Sequence, residues 1–186
     1  MKWFLSYCMF LLFGMGVTQA QPAQIIIIRH GEEPGGGSVH LSARGSERAI
    51  ALASFFSTNA VVNRFGRPVA LFAPHPTLTG SKRAYETILP TSQRWHLPVQ
   101  GTYSQDQYIP LARSLLSNRR YRGRTVIITW IHSWIPQMAG ALRVRPQPPA
   151  WDPSAYDRFY VITYSAAGQA SFEDLPQRLL QGDSER

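Results

Sequence analysis

The sequence predicts an α/β fold: a three-layer sandwich with a mostly parallel central sheet flanked by helices. Three observations lead there. The runs Gln24–Ile28 and Thr125–Ile131 are continuously apolar and rich in β-branched residues, the pattern of strands covered on both faces. Helix-period segments alternate with these runs, as βαβ connection requires. The best strands also end in polar residues fit for chemistry, and ligands bind at the carboxyl ends of strands in such sheets.

Taken in order, Gln24-Ile25-Ile26-Ile27-Ile28 is the first strand and stops at Arg29-His30-Gly31. Pro34 to Ser38, with three consecutive glycines, is a loop. From Ser42 the period turns helical, with Ala49, Leu52, Ala53 and Phe56 on one face and Asn59 closing the helix. Val69 to Ala73 is a second short strand, followed by Pro74-His75-Pro76. A helix is expected from about Ser81 to Leu89, stopped by Pro90. Another runs from about Gln105 to Asn118, with Leu111, Leu115 and Leu116 on one side. Thr125 to Ile131 is a strand, Ile135 to Leu142 a helix, and Pro146 to Pro153 a proline-rich crossing loop. Phe159 to Tyr164 and Ala170 to Phe172, joined around Gly168, form a late strand pair.

Composition bounds the function. At 186 residues and 20.9 kDa the chain allows one medium domain. Hydrophobic residues at 44% and charged residues at 16% support a packed core and exclude disorder by composition. A single cysteine, Cys8, excludes an internal disulfide framework and a cysteine zinc site. The net charge is +8, and 17 of the 19 basic residues are arginine. No run reaches the roughly 18–20 apolar residues of a membrane span.

The first 20 residues read as a secretory signal peptide. Met1-Lys2 supplies the positive start, Trp3 to Val17 the apolar stretch, and Thr18-Gln19-Ala20 the small residues of a cleavage site. Cys8 leaves with this segment. The expected mature domain is residues 21–186, exported to the periplasm or secreted, without a stable membrane anchor after cleavage. Its charge is +7, since Lys2 is lost.

Three segments near strand ends carry chemistry. They are Arg29-His30-Gly31-Glu32, Ser81-Lys82-Arg83-Ala84-Tyr85-Glu86-Thr87, and Trp130-Ile131-His132-Ser133. Adjacent parallel strands bring two arginines and two histidines to one edge. That set suits phosphoryl transfer. A neutral imidazole attacks phosphorus and forms a covalent phospho-histidine. Charge on the transferred group needs a fixed cationic cradle, and the planar fork of arginine fits phosphate oxygens in a bidentate way. Gly31 lets backbone approach closely. This chemistry calls for no metal and no cofactor.

The same segments resemble a known family. Arg29-His30-Gly31-Glu32, then Leu41-Ser42-x-x-Gly45-x-x-Arg48-Ala49, is similar to the opening of the histidine phosphatase superfamily, the phosphoglycerate mutase-like proteins. Ser81-x-Arg83-Ala84-x-Glu86-Thr87 resembles its second phosphate-binding arginine, and Ile127-Ile128-Thr129-Trp130-x-His132 its second catalytic histidine. The three blocks come in the family's order. The resemblance implies the phosphoglycerate mutase-like fold and His30 as the phosphorylated nucleophile. It makes Arg29, Arg83 and His132 the phosphate pocket, with a small anionic phosphorylated substrate.

The departures are specific. Between Arg83 and His132 the acids are Glu86 and Asp106. Asp106 is the candidate general acid, and Glu86 is expected to face along its helix. Glu32 is either a residue behind the pocket that orients an arginine or a polar loop residue. Relatives often have lysine where Glu33 stands, and an acid there weakens anion binding. The insertions of true mutases have no room in this length. His40 and His96 read as surface residues, and His75 as loop. The cluster Arg119, Arg120, Arg122 and Arg124 reads as a solvated turn, with no nucleic-acid motif beside it. Two readings follow: an exported phosphatase, or a non-catalytic phosphate-binding module on the same fold.

Overall fold

The computed structural model describes residues 20–76 and 80–185. The expected signal peptide, Ala20 apart, lies outside the described residues. Six strands form one sheet: β1 (Gln24–Arg29), β2 (Ala70–Phe72), β3 (Val99–Gln100), β4 (Thr125–Trp130), β5 (Arg158–Tyr164) and β6 (Ala170–Pro176). Their order is β3-β2-β4-β1-β5-β6. β1 to β4 are mutually parallel, and β5 and β6 close one side antiparallel. The helices are α1 (Ala43–Thr58), α2 (Arg83–Trp95), α3 (Tyr108–Ser117) and α4 (Ile135–Ala141).

The β-branched runs sit where their sequence demands. Side chains alternate across a strand, so Ile25 and Ile27 join the core under α3 and α4. Ile26 and Ile28 join the core under α1 and α2. All four isoleucines are fully buried, which is the three-layer sandwich seen from its central strand. Burying one such side chain contributes about 1.5–3 kcal/mol. β1 and β4 pair in parallel from Gln24↔Thr125 to Arg29↔Trp130, so both run to the same edge and end level.

Three elements differ from expectation. α2 does not stop at Pro90 but continues to Trp95. The proline removes an N–H and costs a helix interior about 3 kcal/mol. The turn beyond it buries Thr91 and Trp95, the indole packs near Phe56 with centroids 6.5 Å apart, and its Nε1 donates to Ser57 Oγ at 3.0 Å. Those contacts offset the break. β6 runs past the expected Phe172 to Pro176, where pairing with β5 continues to Arg158, and β3 is two residues long and too short to carry an alternation.

Candidate active site

The first block is built by a glycine pair. Beyond β1 the backbone passes so near α1 that a Cβ on Gly45 would lie 2.3 Å from the Glu32 carbonyl oxygen. One on Gly31 would lie 2.8 Å from the Gly45 carbonyl oxygen. Only hydrogen fits in either place. Ser42 caps α1 by accepting from Gly45 N at 3.0 Å and itself donates to the Glu32 carbonyl at 3.1 Å. Gly31 N donates to Thr87 Oγ1 at 2.8 Å, and that hydroxyl donates to the Arg83 carbonyl at 2.7 Å. The loop after β1 is thereby tied to the starts of both α1 and α2.

His30 follows directly on β1. Its backbone N donates to the Trp130 carbonyl at 3.2 Å, and only 2% of the residue is exposed. Nδ1 lies 2.8 Å from the Gly31 carbonyl oxygen. A carbonyl can only accept, so Nδ1 carries the hydrogen and Nε2 keeps its lone pair. Desolvation lowers the His30 pKa to about 4, and the positive charges of Arg29 and Arg83 push the same way. The hydrogen bond to Gly31 and the charge of Glu33 oppose them. At neutral pH the imidazole is uncharged.

Arg29, 1% exposed, ends β1. Its Nη1 donates to the carbonyl of Pro153 and, at 3.5 Å, to that of Ala155. The guanidinium carbon lies 3.7 Å from the centroid of the Tyr156 ring, a cation–π contact. Burial lowers its pKa. The Tyr156 ring also meets His30 edge-on at 6.0 Å. Arg83 opens α2; its Nη1 donates to the Ser38 carbonyl and its Nη2 pairs with Glu33 Oε2 at 2.8 Å. His132 opens the short turn after β4. Its pKa is lowered by burial, then by Arg29, with Glu33 opposing and Arg83 adding to the decrease.

The structure thus brings Arg29, His30, Arg83 and His132 to one edge, each imidazole lying in the field of both arginines. Among the described residues, Arg29 Nε, Arg83 Nε and His132 Nδ1 are buried nitrogens without a hydrogen-bond partner. Unsatisfied buried polar groups cost about 1–3 kcal/mol each, and three such nitrogens on residues at one sheet edge suit an anion with several acceptor oxygens. Among the described residues no His, Cys, Asp and Glu group has a metal-holding arrangement.

The carboxylates divide. Asp106 is fully exposed and accepts from Ser104 Oγ at 2.5 Å, which lowers its pKa; its described bonds keep it in its own turn. Glu32 bonds to arginines of α1. It accepts from Arg48 Nη2 at 2.8 Å and Arg44 Nε at 3.1 Å, so the arginine it orients is Arg48 rather than a pocket residue. Arg48 is 1% exposed and also donates to Asp183 at 2.7 Å and 2.9 Å and to Gln177 at 3.2 Å. Glu86 accepts from His40 Nδ1 at 2.5 Å and Leu41 N at 3.0 Å and anchors the loop before α1. The carboxylate facing the site is Glu33, paired with Arg83 and 3.5 Å from the Tyr156 hydroxyl. Its neighbourhood to Arg83 and Tyr156 has no sequence signal, because the three residues meet only through tertiary packing.

No protein-family model matches the chain, and no curated protein matches it in sequence. Solved structures do resemble it in shape. A mycobacterial glucosyl-3-phosphoglycerate phosphatase superposes with a TM-score of 0.52 at 13% identity, covering 81% of this chain and 97% of the other. Phosphoglycerate mutase from Plasmodium falciparum gives 0.51 at 10% identity, with 88% and 96% covered. That from Bacillus anthracis gives 0.51 at 11% identity, with 85% and 94% covered. Strand order, flanking helices and these superpositions agree that the chain has the phosphoglycerate mutase-like fold.

Proposed function

We propose that the chain is an exported phosphatase that hydrolyses a small phosphorylated substrate through a phospho-histidine on His30. One observation carries the reading: a buried, neutral His30 with Nε2 free lies among buried Arg29, Arg83 and His132 nitrogens that lack partners. In the reaction Nε2 attacks phosphorus, the bond from phosphorus to the leaving oxygen or nitrogen breaks, and the leaving atom takes up any proton it needs from solvent. Water then attacks the phospho-imidazole, releases inorganic phosphate and restores His30. The arginines and His132 stabilise charge on the transferred group; with two guanidiniums in place the chemistry needs no metal. Enzymes of the same fold include the phosphatase and mutases named above, whose substrates carry phosphate.

Glu33 bears on the substrate. Paired with Arg83, it competes with a phosphate for the fork, and its charge disfavours a dianion. Asp106, the candidate general acid, is fully exposed and bonded within its own turn, which favours a substrate with a good leaving group, such as an acyl phosphate or a phosphoamidate. The lack of a clear acid also supports the second reading, a phosphate-binding module without turnover.

Phosphate release from an aryl phosphate, an acyl phosphate and a panel of phosphometabolites, with the chain from Gln21 and no added metal, tests the proposal. Release that vanishes in His30→Ala is expected. Turnover that persists in His30→Ala sinks it. No turnover, with inorganic phosphate still raising the melting temperature, selects the binding module.

A further inference from the structure

The two ends of the sheet differ in charge. β1 to β4 point their carboxyl ends at the candidate site, so the connections entering them lie at the opposite end. Those segments are 20–24, 59–69, 94–98 and 117–125. The β5–β6 turn joins them there. So does the segment after α4, where Arg143 donates to Gln21 Oε1 at 3.2 Å and the Leu142 carbonyl accepts from Tyr164 at 2.8 Å. Together these segments hold nine arginines and no Asp or Glu, and all nine arginines are exposed. Glu173 of β6 reaches Arg64 at 3.8 Å.

Two further features lie on this face. Phe65 stands 40% exposed between Arg64 and Arg67. The chain also enters the fold here, because the Gln21 carbonyl accepts from Gly123 N at 3.3 Å and Ala23 N donates to the Arg124 carbonyl at 3.0 Å. In the sequence the apolar run Trp3 to Val17 ends three residues before Ala20, a reach of about 10 Å at most.

We propose that this arginine face docks the domain on an anionic lipid bilayer, with Phe65 entering the headgroup region. Guanidinium forks bind headgroup phosphates in a bidentate way. Each arginine near an anionic surface adds roughly fivefold to partitioning, and an aromatic side chain at the acyl boundary adds apolar burial. The candidate site then opens away from the membrane, about 20 Å off across the six residues of β1.

The sheet and both cores lie within residues 24–176, so the chain from Gln21 is the folded unit to use. Its sedimentation with phosphatidylglycerol/phosphatidylcholine vesicles and with phosphatidylcholine alone is the measurement. Strong binding to the anionic vesicles only, weakened by salt, is expected. Arg122→Gln/Arg124→Gln should cut it by about 25-fold, whereas the charge-matched Arg113→Gln/Arg178→Gln should cut it by less than about threefold. Phe65→Ser should weaken binding even in high salt, and melting curves confirm that each variant is folded. Equal losses in the two double variants overturn the proposal, as does the absence of anionic-vesicle binding. Binding to single-stranded DNA without binding to vesicles overturns it too and assigns the face to another polyanion.

Discussion

His30 gives the sharpest prediction, because its burial has a thermodynamic consequence independent of any substrate. An unfolded histidine titrates at about 6.5, whereas desolvation, aided by Arg29 and Arg83, brings the folded pKa to about 4. Between those values the unfolded chain binds a proton that the folded chain refuses. Stability therefore falls as pH drops through this window, and this group takes none away above pH 6.5. By pH 4.5 the loss amounts to about 2.5 kcal/mol. His30→Asn keeps a side-chain donor near the Gly31 carbonyl but cannot titrate. Urea unfolding at pH 7 and pH 4.5 should show the parent chain losing about 2.5 kcal/mol more than His30→Asn. The carboxylates and His132 are common to both proteins and cancel. In catalysis the acid limb of kcat/KM should lie near pH 4, not near 6.5. Equal losses in both proteins, or a limb at 6.5, would refute a buried neutral nucleophile.

Four other outcomes follow from named contacts. Gly45→Ala places a Cβ 2.3 Å from the Glu32 carbonyl oxygen, so it should cost about 1–3 kcal/mol in denaturant unfolding and abolish activity by displacing the His30 loop. Arg48→Met removes the buried cation between Glu32 and Asp183 and leaves them the half-exposed Arg44, at 3.1 Å and 3.6 Å. It should destabilise by about 3–5 kcal/mol at pH 7 in the same assay. Arg83→Lys should lower kcat/KM by about 100-fold, while Arg122→Lys in an exposed turn changes it by less than about twofold. Glu33→Gln should tighten inhibition by inorganic phosphate by about fivefold, the upper worth of an exposed ion pair, with kcat kept. A fall in kcat by 100-fold or more instead would make Glu33 the proton donor.

Much of the fold was legible because burial on both faces leaves a plain signature. Four consecutive isoleucines cannot alternate with polar residues, so β1 had to be central. Ser42 and Asn59 bounded α1 correctly, since both caps act through local hydrogen bonds. α2 was cut short because Pro90 is a local signal and the burial of Trp95 is not. The same division runs through the site. Arg29, His30, Arg83 and His132 lie beside strand ends or a helix start, where sequence pattern reaches. Tyr156 stands 127 positions beyond Arg29 yet lies under its guanidinium. That contact depends on how the loop after Trp151 folds back, which no periodicity encodes.

Glu32 and Glu33 are neighbours in sequence, yet they serve opposite ends. Glu32 turns to Arg48, whose guanidinium is further held by Asp183 and Gln177. Asp183 in turn accepts from Leu179 N and Leu180 N, and its pKa is lowered to about 2. All three nitrogens of Arg48 are engaged, so it fixes the scaffold and has little capacity for a ligand. Glu33 turns to Arg83, whose Nε has no partner among the described residues and whose other contact is a single carbonyl. Glu33 is also the more exposed of the two carboxylates, at 38% against 14%. Under the proposed function, an arriving phosphate has to displace one exposed carboxylate while the buried network stays intact, exchanging an intramolecular anion for a substrate without loosening the loop that holds His30.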